Sequence, residues 1–333
     1  MRPITLYKDK ILNHLRSAQS GFLSGEELAR KTGLSRTMVW KHIKSLERDG
    51  FVIQAVPSQG YRIVSSPDIL RELDVKRGLK TKNIGREFVL LPKVDSTNIF
   101  AMDLSSKGWP EGTVVAAEIQ SSGKGRLGRS WISPKGNLYL SVILRPIIPV
   151  HKAPLITMMG AVAVALAIRM VCKVTAAIKW PNDILISGKK VSGLLTEMSA
   201  EQDRIRYIVL GIGIDVNMDL KALPPEVRTL STSLAVETGD RINRTLLLQE
   251  LLRSIECWYG VFLANPAEIL REWQNLNMTV GSRIRVTGAG ENLEGLAQGI
   301  DDDGRLLIRL DDNSVRYVTA GDVSIMREGR DKQ

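Results

Sequence analysis

Three glycines and three cations alternate in the stretch Gly123-Lys-Gly-Arg-Leu-Gly-Arg-Ser-Trp131, and a β-prone run from Gly112 to Gln120 leads into it. Glycine lets the backbone adopt positive φ and approach a ligand closely. The cations are Lys124, Arg126 and Arg129. Guanidinium groups offer forked donors to a carboxylate or phosphate. The stretch therefore reads as a loop that orders itself over an anion, with a merely solvated basic loop as the plain alternative. The same letters spell G-x-G-x-x-G, but a dinucleotide fold needs that motif to enter a helix. Here Arg129-Ser-Trp-Ile-Ser-Pro-Lys-Gly136 ends in turn formers, so that fold is rejected.

Other polar clusters sit at the ends of predicted strands. Val89 to Asn98 closes on Asp95-Ser-Thr-Asn98, ahead of a helix running to about Lys107. Asp95, Ser96 and Thr97 suit a helix cap. The same hydroxyls and the Asn98 amide also suit a neutral polar ligand. Residues 176–195 read as strand, Pro-Asn-Asp turn, strand, Ser-Gly turn, strand, the last running to about Met198. Lys190 opens that third strand, and a period of two puts Ser192 on its face. Arg204 to Asp215 forms a further strand, where Gly211 and Gly213 allow close approach before Asn217.

Those residues need supporting elements. Strands at 113–120 and 137–144 flank the glycine loop, an Ala-rich helix covers 154–172, and an amphipathic helix covers 245–263. From about Thr279, five short strands with turns at 288–290, 301–304 and 311–313 suggest a small barrel.

The N-terminal fifth is different. Residues 1–64 carry eleven Lys/Arg against five acids, or +6 of the chain's net +10. Ile11, Leu12 and Leu15 mark one helix, and Ser24-Gly-Glu-Glu27 opens a second as a capping box. After the Thr32-Gly-Leu34 turn, Ser35 caps a third helix, which turns Val39, Ile43 and Leu46 inward. Its outward residues are Arg36, Thr37, Trp40, Lys41 and Lys44; Phe51–Val56 and Tyr61–Val64 add a hairpin, where Arg62 and the turn reach toward phosphate. This is a winged helix-turn-helix, and with its charge it points to DNA rather than to a helical protein-interaction module.

Composition sets bounds on the rest. Apolar content of 44% and charged content of 25% describe an ordinary globular chain of two or three domains. Cys172 and Cys257 read as reduced core residues of a cytoplasmic protein. Three histidines without ligand spacing argue against a structural metal site. The apolar run from Pro154 falls short of the roughly 20 residues a membrane span needs, so no membrane role is expected.

Four motifs in one order now carry a resemblance: Asp95–Asn98, Gly123–Trp131, Lys179-Trp-Pro-Asn-Asp183 and Lys190-Val-Ser-Gly193. The chain resembles the bifunctional biotin–protein ligases that double as biotin operon repressors. It departs from their commonest pattern at Lys124, Leu127 and Ser130, which lowers the charge of the loop. The resemblance implies an α+β multidomain chain. It would hold a winged helix-turn-helix over 1–65, a linker over 66–82 and a catalytic domain over 83–277, a class II synthetase-like mixed sheet with helices. A small SH3-like β-barrel would cover 278–328. It also implies ATP, Mg²⁺ and biotin as reactants. Lys190, Arg126 and Asp183 would be catalytic. Ser96, Thr97, Asn98, Gln120, Lys124, Gly125, Arg126, Lys190 and Gly193 would meet biotin, while Trp131 and Trp180 wall its apolar part. Arg126, Arg129, Trp131, Asn182 and Asn217 would meet the adenylate. Ser35, Arg36, Thr37, Trp40, Lys41, Lys44 and Arg62 would meet operator DNA. The implied partners are a biotin carboxyl carrier protein and, once adenylate is bound, a second copy of the chain. Two other readings remain open on sequence alone: a ligand-sensing transcription factor without catalysis, and a lipoate-type acyl ligase.

Overall fold

In a computed structural model of the chain, residues 3–18, 21–202, 204–288 and 292–326 are described. The expected turn at 288–290 and the expected domain end at 328 lie partly outside them. The chain divides into two compact units between Ile69 and Leu70.

The first unit holds α1 (Pro3–Ser17), α2 (Gly25–Thr32), α3 (Arg36–Arg48), β1 (Val52–Val56) and β2 (Gly60–Ser65). Ser24 caps α2 by accepting from the Glu27 amide at 3.0 Å, and Gly33 ends it in the left-handed region (φ 73°). Glu27 does not complete the capping box, because its carboxylate pairs with Lys31 at 2.7 Å. Ser35 caps α3 through the Met38 amide. Ile11, Leu12 and Leu15 close a core with Leu28, Val39, Ile43 and Leu46, as the apolar spacing predicts. β1 and β2 pair antiparallel as the wing.

The second unit begins earlier than the expected linker allows. Leu70 is buried, and its amide donates to Glu118 Oε1 at 2.8 Å. In α4 (Glu72–Gly78), the Asp74 and Val75 carbonyls accept from Gln249 Nε2, while the Glu256 carboxylate takes the amides of Lys82, Asn83 and Ile84. Residues 70–82 are thus packed against groups far away in sequence, which a local reading cannot see.

A seven-stranded mixed sheet forms the body of this unit. Its strands are β3 (Phe88–Leu91), β4 (Val114–Ala117), β5 (Leu138–Leu144), β6 (Ala177–Lys179), β7 (Asp183–Ile186), β8 (Lys189–Glu201) and β9 (Arg204–Ile214). Their order is β3-β4-β5-β9-β8-β7-β6, and only β3–β4 is parallel. The glycine loop joins antiparallel β4 and β5, which bears out the rejection of a βαβ dinucleotide unit. α5 (Thr97–Ser106) covers one face, with Ala101 and Leu104 against Val115, Ile143 and Val209. On the other face, α6 (Pro154–Cys172) packs on Leu140, Val142, Leu194, Leu210 and Ile212. A Cβ on Gly160 would stand 2.8 Å from Leu194 and 3.0 Å from Leu210, so this helix needs glycine to lie close on the sheet. α6 and its lead-in are long and apolar enough to cross a membrane, but 72% of the most apolar window is buried within the protein.

Beyond β9 come α7 (Pro225–Arg228), α8 (Leu234–Thr238), α9 (Arg244–Ala264) and α10 (Pro266–Leu276), the last capped by Asn265 and unforeseen from sequence. Cys257 on α9 is exposed, not a core residue as expected; Cys172 is half-buried, and both thiols are free. A five-stranded antiparallel sheet follows, made of β10 (Arg283–Thr287), β11 (Leu293–Ile300), β12 (Leu306–Arg309), β13 (Val315–Val318) and β14 (Asp322–Ile325). Its order is β13-β12-β11-β10-β14, with β13 and β14 at the two edges.

Candidate active site

The sheet face that carries α5 is bare at one end. On β9, Leu210, Ile212 and Ile214 point to the α6 core, which leaves Gly211 and Gly213 on the opposite face. A Cβ on Gly211 would stand 2.1 Å from Asn98 Oδ1, and one on Gly213 2.6 Å from Trp131 Nε1. The floor is therefore made of glycine so that the start of α5 and the indole of the loop can lie on it.

Ser96 occupies the N-cap position of α5, but its hydroxyl makes no capping bond. The Thr97 amide donates instead to Gln120 Oε1 at 2.8 Å, and Gln120 Nε2 donates to Ser133 Oγ at 3.0 Å. Ser141 donates to Asn98 Oδ1 at 2.6 Å, while Asn98 Nδ2 donates to Leu195 O at 3.2 Å and Glu197 Oε2 at 2.7 Å. Asn98 is thus committed to protein partners and positions its neighbours. Ser141 and Glu197, which hold it, carry no local sequence signal.

Lys190 does not share a face with Ser192. A bulge in the β7–β8 pairing opposes Ile184 to Ser192 but Leu185 to Lys190, skipping Val191. Ser192 turns inward and donates to Gly213 O at 2.7 Å, while Lys190 Nζ lies beside Gly193. Bulges re-aim a side chain in this way. Lys190 Nζ sits 2.5 Å from Asp183 Oδ1 and 5.2 Å from the centre of the Trp131 ring, and Lys179 takes Asp183 Oδ2 at 3.1 Å. Burial alone would raise the Asp183 carboxyl, but Lys190 and then Lys179 outweigh it and hold it below the usual carboxylate range. Two cations on one carboxylate leave a net positive charge in the cleft.

The glycine loop is a short hairpin. Gly125 N donates to Arg129 O at 2.7 Å, and Trp131 N to Gly123 O at 2.8 Å. Leu127 (φ 54°) and Gly128 (φ 74°) turn its tip. Arg126 reaches inward and donates to Asn182 Oδ1 at 3.1 Å and to Gly321 O at 3.4 Å, while Arg129 pairs with Asp322. Burial lowers the Arg126 guanidinium from its ordinary value, against the pull of Asp322 and Asp183. Lys124 lies at the rim, 3.8 Å from Glu197. Contact with the start of β14, nearly two hundred residues away, was invisible in the sequence.

Together these groups wall a cleft of about 360 Å³. It brings together Ser96, Thr97, Asn98, Gln120, Lys124, Gly125, Arg126, Arg129, Trp131, Asn182, Asp183, Lys190 and Gly193. Trp180 also borders it, but the ring is 1% exposed and its Nε1 donates to Gly304 O at 3.0 Å, so its main role is packing. Asn217 is a correction: it does not line the cleft, and its amide is clamped to Ile242, accepting from N at 2.9 Å and donating to O at 2.8 Å. Among the described residues no three His, Cys, Asp or Glu side chains could hold a metal ion.

Behind Lys190 lies a buried network. Arg244 donates to Glu118 at 3.0 Å and to Asn137 O at 2.8 Å, and Asn137 Nδ2 donates to Asp215 Oδ1 at 3.1 Å. Burial holds the Asp215 carboxyl well above the usual range, and Lys190 offsets this only in part. A carboxyl whose folded value exceeds its unfolded value of about 3.9 favours folding below that pH and penalises it as pH rises. Asp215→Asn keeps the shape without the proton. Its melting temperature should match the parent near pH 4 and exceed it increasingly toward neutral pH; a gain independent of pH would contradict this.

In the first unit, Ser35, Arg36, Thr37, Trp40, Lys41 and Lys44 are all exposed at α3. Lys44 pairs with Glu47 at 2.7 Å. Arg62 is half-buried on the wing, donating to Gln54 and lying 4.7 Å from the Phe22 ring centre, so it braces the hairpin.

Three family profiles match the sequence: an HTH domain over residues 8–62, the biotin/lipoate A/B protein ligase family over 90–215, and the biotin protein ligase C-terminal domain over 279–326. The bifunctional ligase/repressor BirA of Bacillus spizizenii is 38% identical over 325 residues, covering 96% of this chain and 99% of that protein. The biotin–[acetyl-CoA-carboxylase] ligase of Mycobacterium tuberculosis is 32% identical, covering 78% of this chain and 98% of its own. The structure of a biotin protein ligase from Aquifex aeolicus in complex with biotin and ATP matches with a TM-score of 0.62 at 29% identity, over 73% of this chain and 99% of that one.

Proposed function

We propose a function from one premise: the chain belongs to the biotin protein ligase family. It is an ATP-dependent biotin–protein ligase and a biotin-responsive repressor. The biotin carboxylate attacks the α-phosphate of ATP, giving biotinyl-5′-adenylate and releasing pyrophosphate. A lysine amine of a carboxyl carrier protein then takes the acyl group and AMP leaves. Such chemistry needs no protein nucleophile; it needs alignment and charge stabilisation.

The observation that carries this reading is the placement of Lys190, one ammonium held over a glycine floor by Asp183 and faced by Trp131. Lys190 holds the attacking carboxylate and the α-phosphate together. Asp183, pinned by two lysines, aims Lys190 and takes no proton. Arg126 steadies the phosphates, with Asn182 fixing its guanidinium. Mg²⁺ bound with the nucleotide would supply part of the neutralisation of the phosphate charge. Gln120, Ser96 and Thr97 face the ureido ring, and the closed loop keeps water from the mixed anhydride. Biotin-dependent exchange of pyrophosphate into ATP tests the reading. Exchange supported by lipoate and not by biotin would instead favour the lipoate-type ligase.

Repression follows from fusing this site to a winged module. The adenylate is both intermediate and corepressor: it orders the loop, favours a homodimer and sets two α3 helices on a palindromic operator in the cytoplasm. Gel-shift titration should show DNA affinity rising about tenfold or more with biotin and MgATP, a coupling of usual size. Equal affinity with and without both would refute the corepressor role.

A further inference from the structure

A groove of about 780 Å³ runs between α3 and the wing, walled by Arg36 and Trp40 on one side and by Val56, Pro57 and Ser58 on the other, with Glu26 at the start of α2 also lining it, so a phosphate strand would sit on the Arg36 side. Trp40 is 50% exposed and takes no part in the core of its unit. Its indole therefore offers a free apolar face to whatever enters the groove. The foot of the wing is fixed. Leu23 and Tyr61 exchange backbone bonds at 3.0 and 2.8 Å, and a Cβ on Gly60 would stand 2.1 Å from Leu23 O, so the wing is held against the segment before α2.

The wheel of α3 sorts the expected DNA contacts. With 3.6 residues per turn, Arg36 and Trp40 share the flank that looks at the wing. Thr37, Lys41 and Lys44 occupy the strip opposite the buried Val39, Ile43 and Leu46. When a recognition helix lies in the major groove, the strip opposite its core faces base edges, while its flanks face the sugar–phosphate walls. The wing stands beyond one of those walls.

Resting on the operator-binding reading above, we propose that the α3–wing groove grips one sugar–phosphate strand of the duplex, Trp40 packing its ring on a deoxyribose and Arg36 meeting the adjacent phosphate. Trp40 then supplies affinity without base preference, and the choice of sequence falls to Thr37 and Lys41. The net +6 of residues 1–64 matches a polyanionic occupant.

The test is in vitro selection from a randomised duplex library with the full chain, biotin and MgATP, followed by anisotropy titration of the enriched duplex at several salt concentrations. Trp40→Ala should enrich the same bases as the parent, bind about tenfold more weakly for its lost apolar contact, and keep the parent's salt slope. Trp40→Phe should recover most of that loss. Arg36→Ala should lower the salt slope by about one. A changed base at any position in the Trp40→Ala selection would make Trp40 a base reader and overturn the proposal, as would parental affinity. If the parent itself enriches nothing and binds no duplex, the operator-binding reading fails first and takes this inference with it.

Discussion

Replacing Lys190 with alanine is expected to lower the rate of biotinyl-adenylate formation by about 10²–10³-fold, the usual cost of removing one donor aimed at developing charge. Lys190 is the ammonium placed over the bare end of the sheet, and the bulge at Val191 aims it there. The fold should survive, because Asp183 keeps Lys179 at 3.1 Å and is not left as a lone buried charge. Circular dichroism and melting temperature should stay close to the parent while pyrophosphate exchange collapses. Turnover within a few-fold of the parent would remove Lys190 from the chemistry.

Gly211→Ala should be nearly as damaging, by a different route. The added methyl would stand 2.1 Å from Asn98 Oδ1, a distance no real contact tolerates. Asn98 is 4% exposed and bonded to Ser141, Leu195 and Glu197, so it cannot swing aside without breaking buried bonds. Each buried group left unpaired costs about 1–3 kcal/mol. With two or three at stake, biotin affinity should fall by about 10²-fold or more and the melting temperature should drop. Gly299→Ala is the control: a Cβ there meets nothing within 4 Å, and both readouts should stay near parental values. Calorimetric titration with biotin decides; unchanged affinity in Gly211→Ala would mean that Asn98 does not shape the pocket.

What was legible in the sequence follows the range of the interactions. Helix caps at Ser24 and Ser35, and the apolar faces of α1 and α3, are set by residues within four positions and match the sequence; only the Glu27 half of the capping box departs, its carboxylate drawn to Lys31. The glycine loop and the Lys179–Asp183 turn announce themselves because glycine and charge are costly to place without a reason. A period of two puts Lys190 and Ser192 on one face, but the bulge parts them, and a bulge depends on the partner strand, not on the strand's own letters. Asn217 looked like a ligand contact beside two glycines; its true partner, Ile242, lies twenty-five residues on. Asp322 and Gly321, which hold Arg129 and Arg126, belong to the far end of the chain, and no local pattern connects them to the loop.

Native mass spectrometry of the full chain after incubation with biotin and MgATP, run side by side on the parent and Lys190→Ala, shows whether the protein makes and keeps the adenylate and whether Lys190 is needed for it. One biotinyl-5′-adenylate should be retained per parent chain, with little or none on the variant over the same interval. A parent that held biotin and ATP side by side without joining them, or a variant that filled with adenylate as fast as the parent, would contradict this.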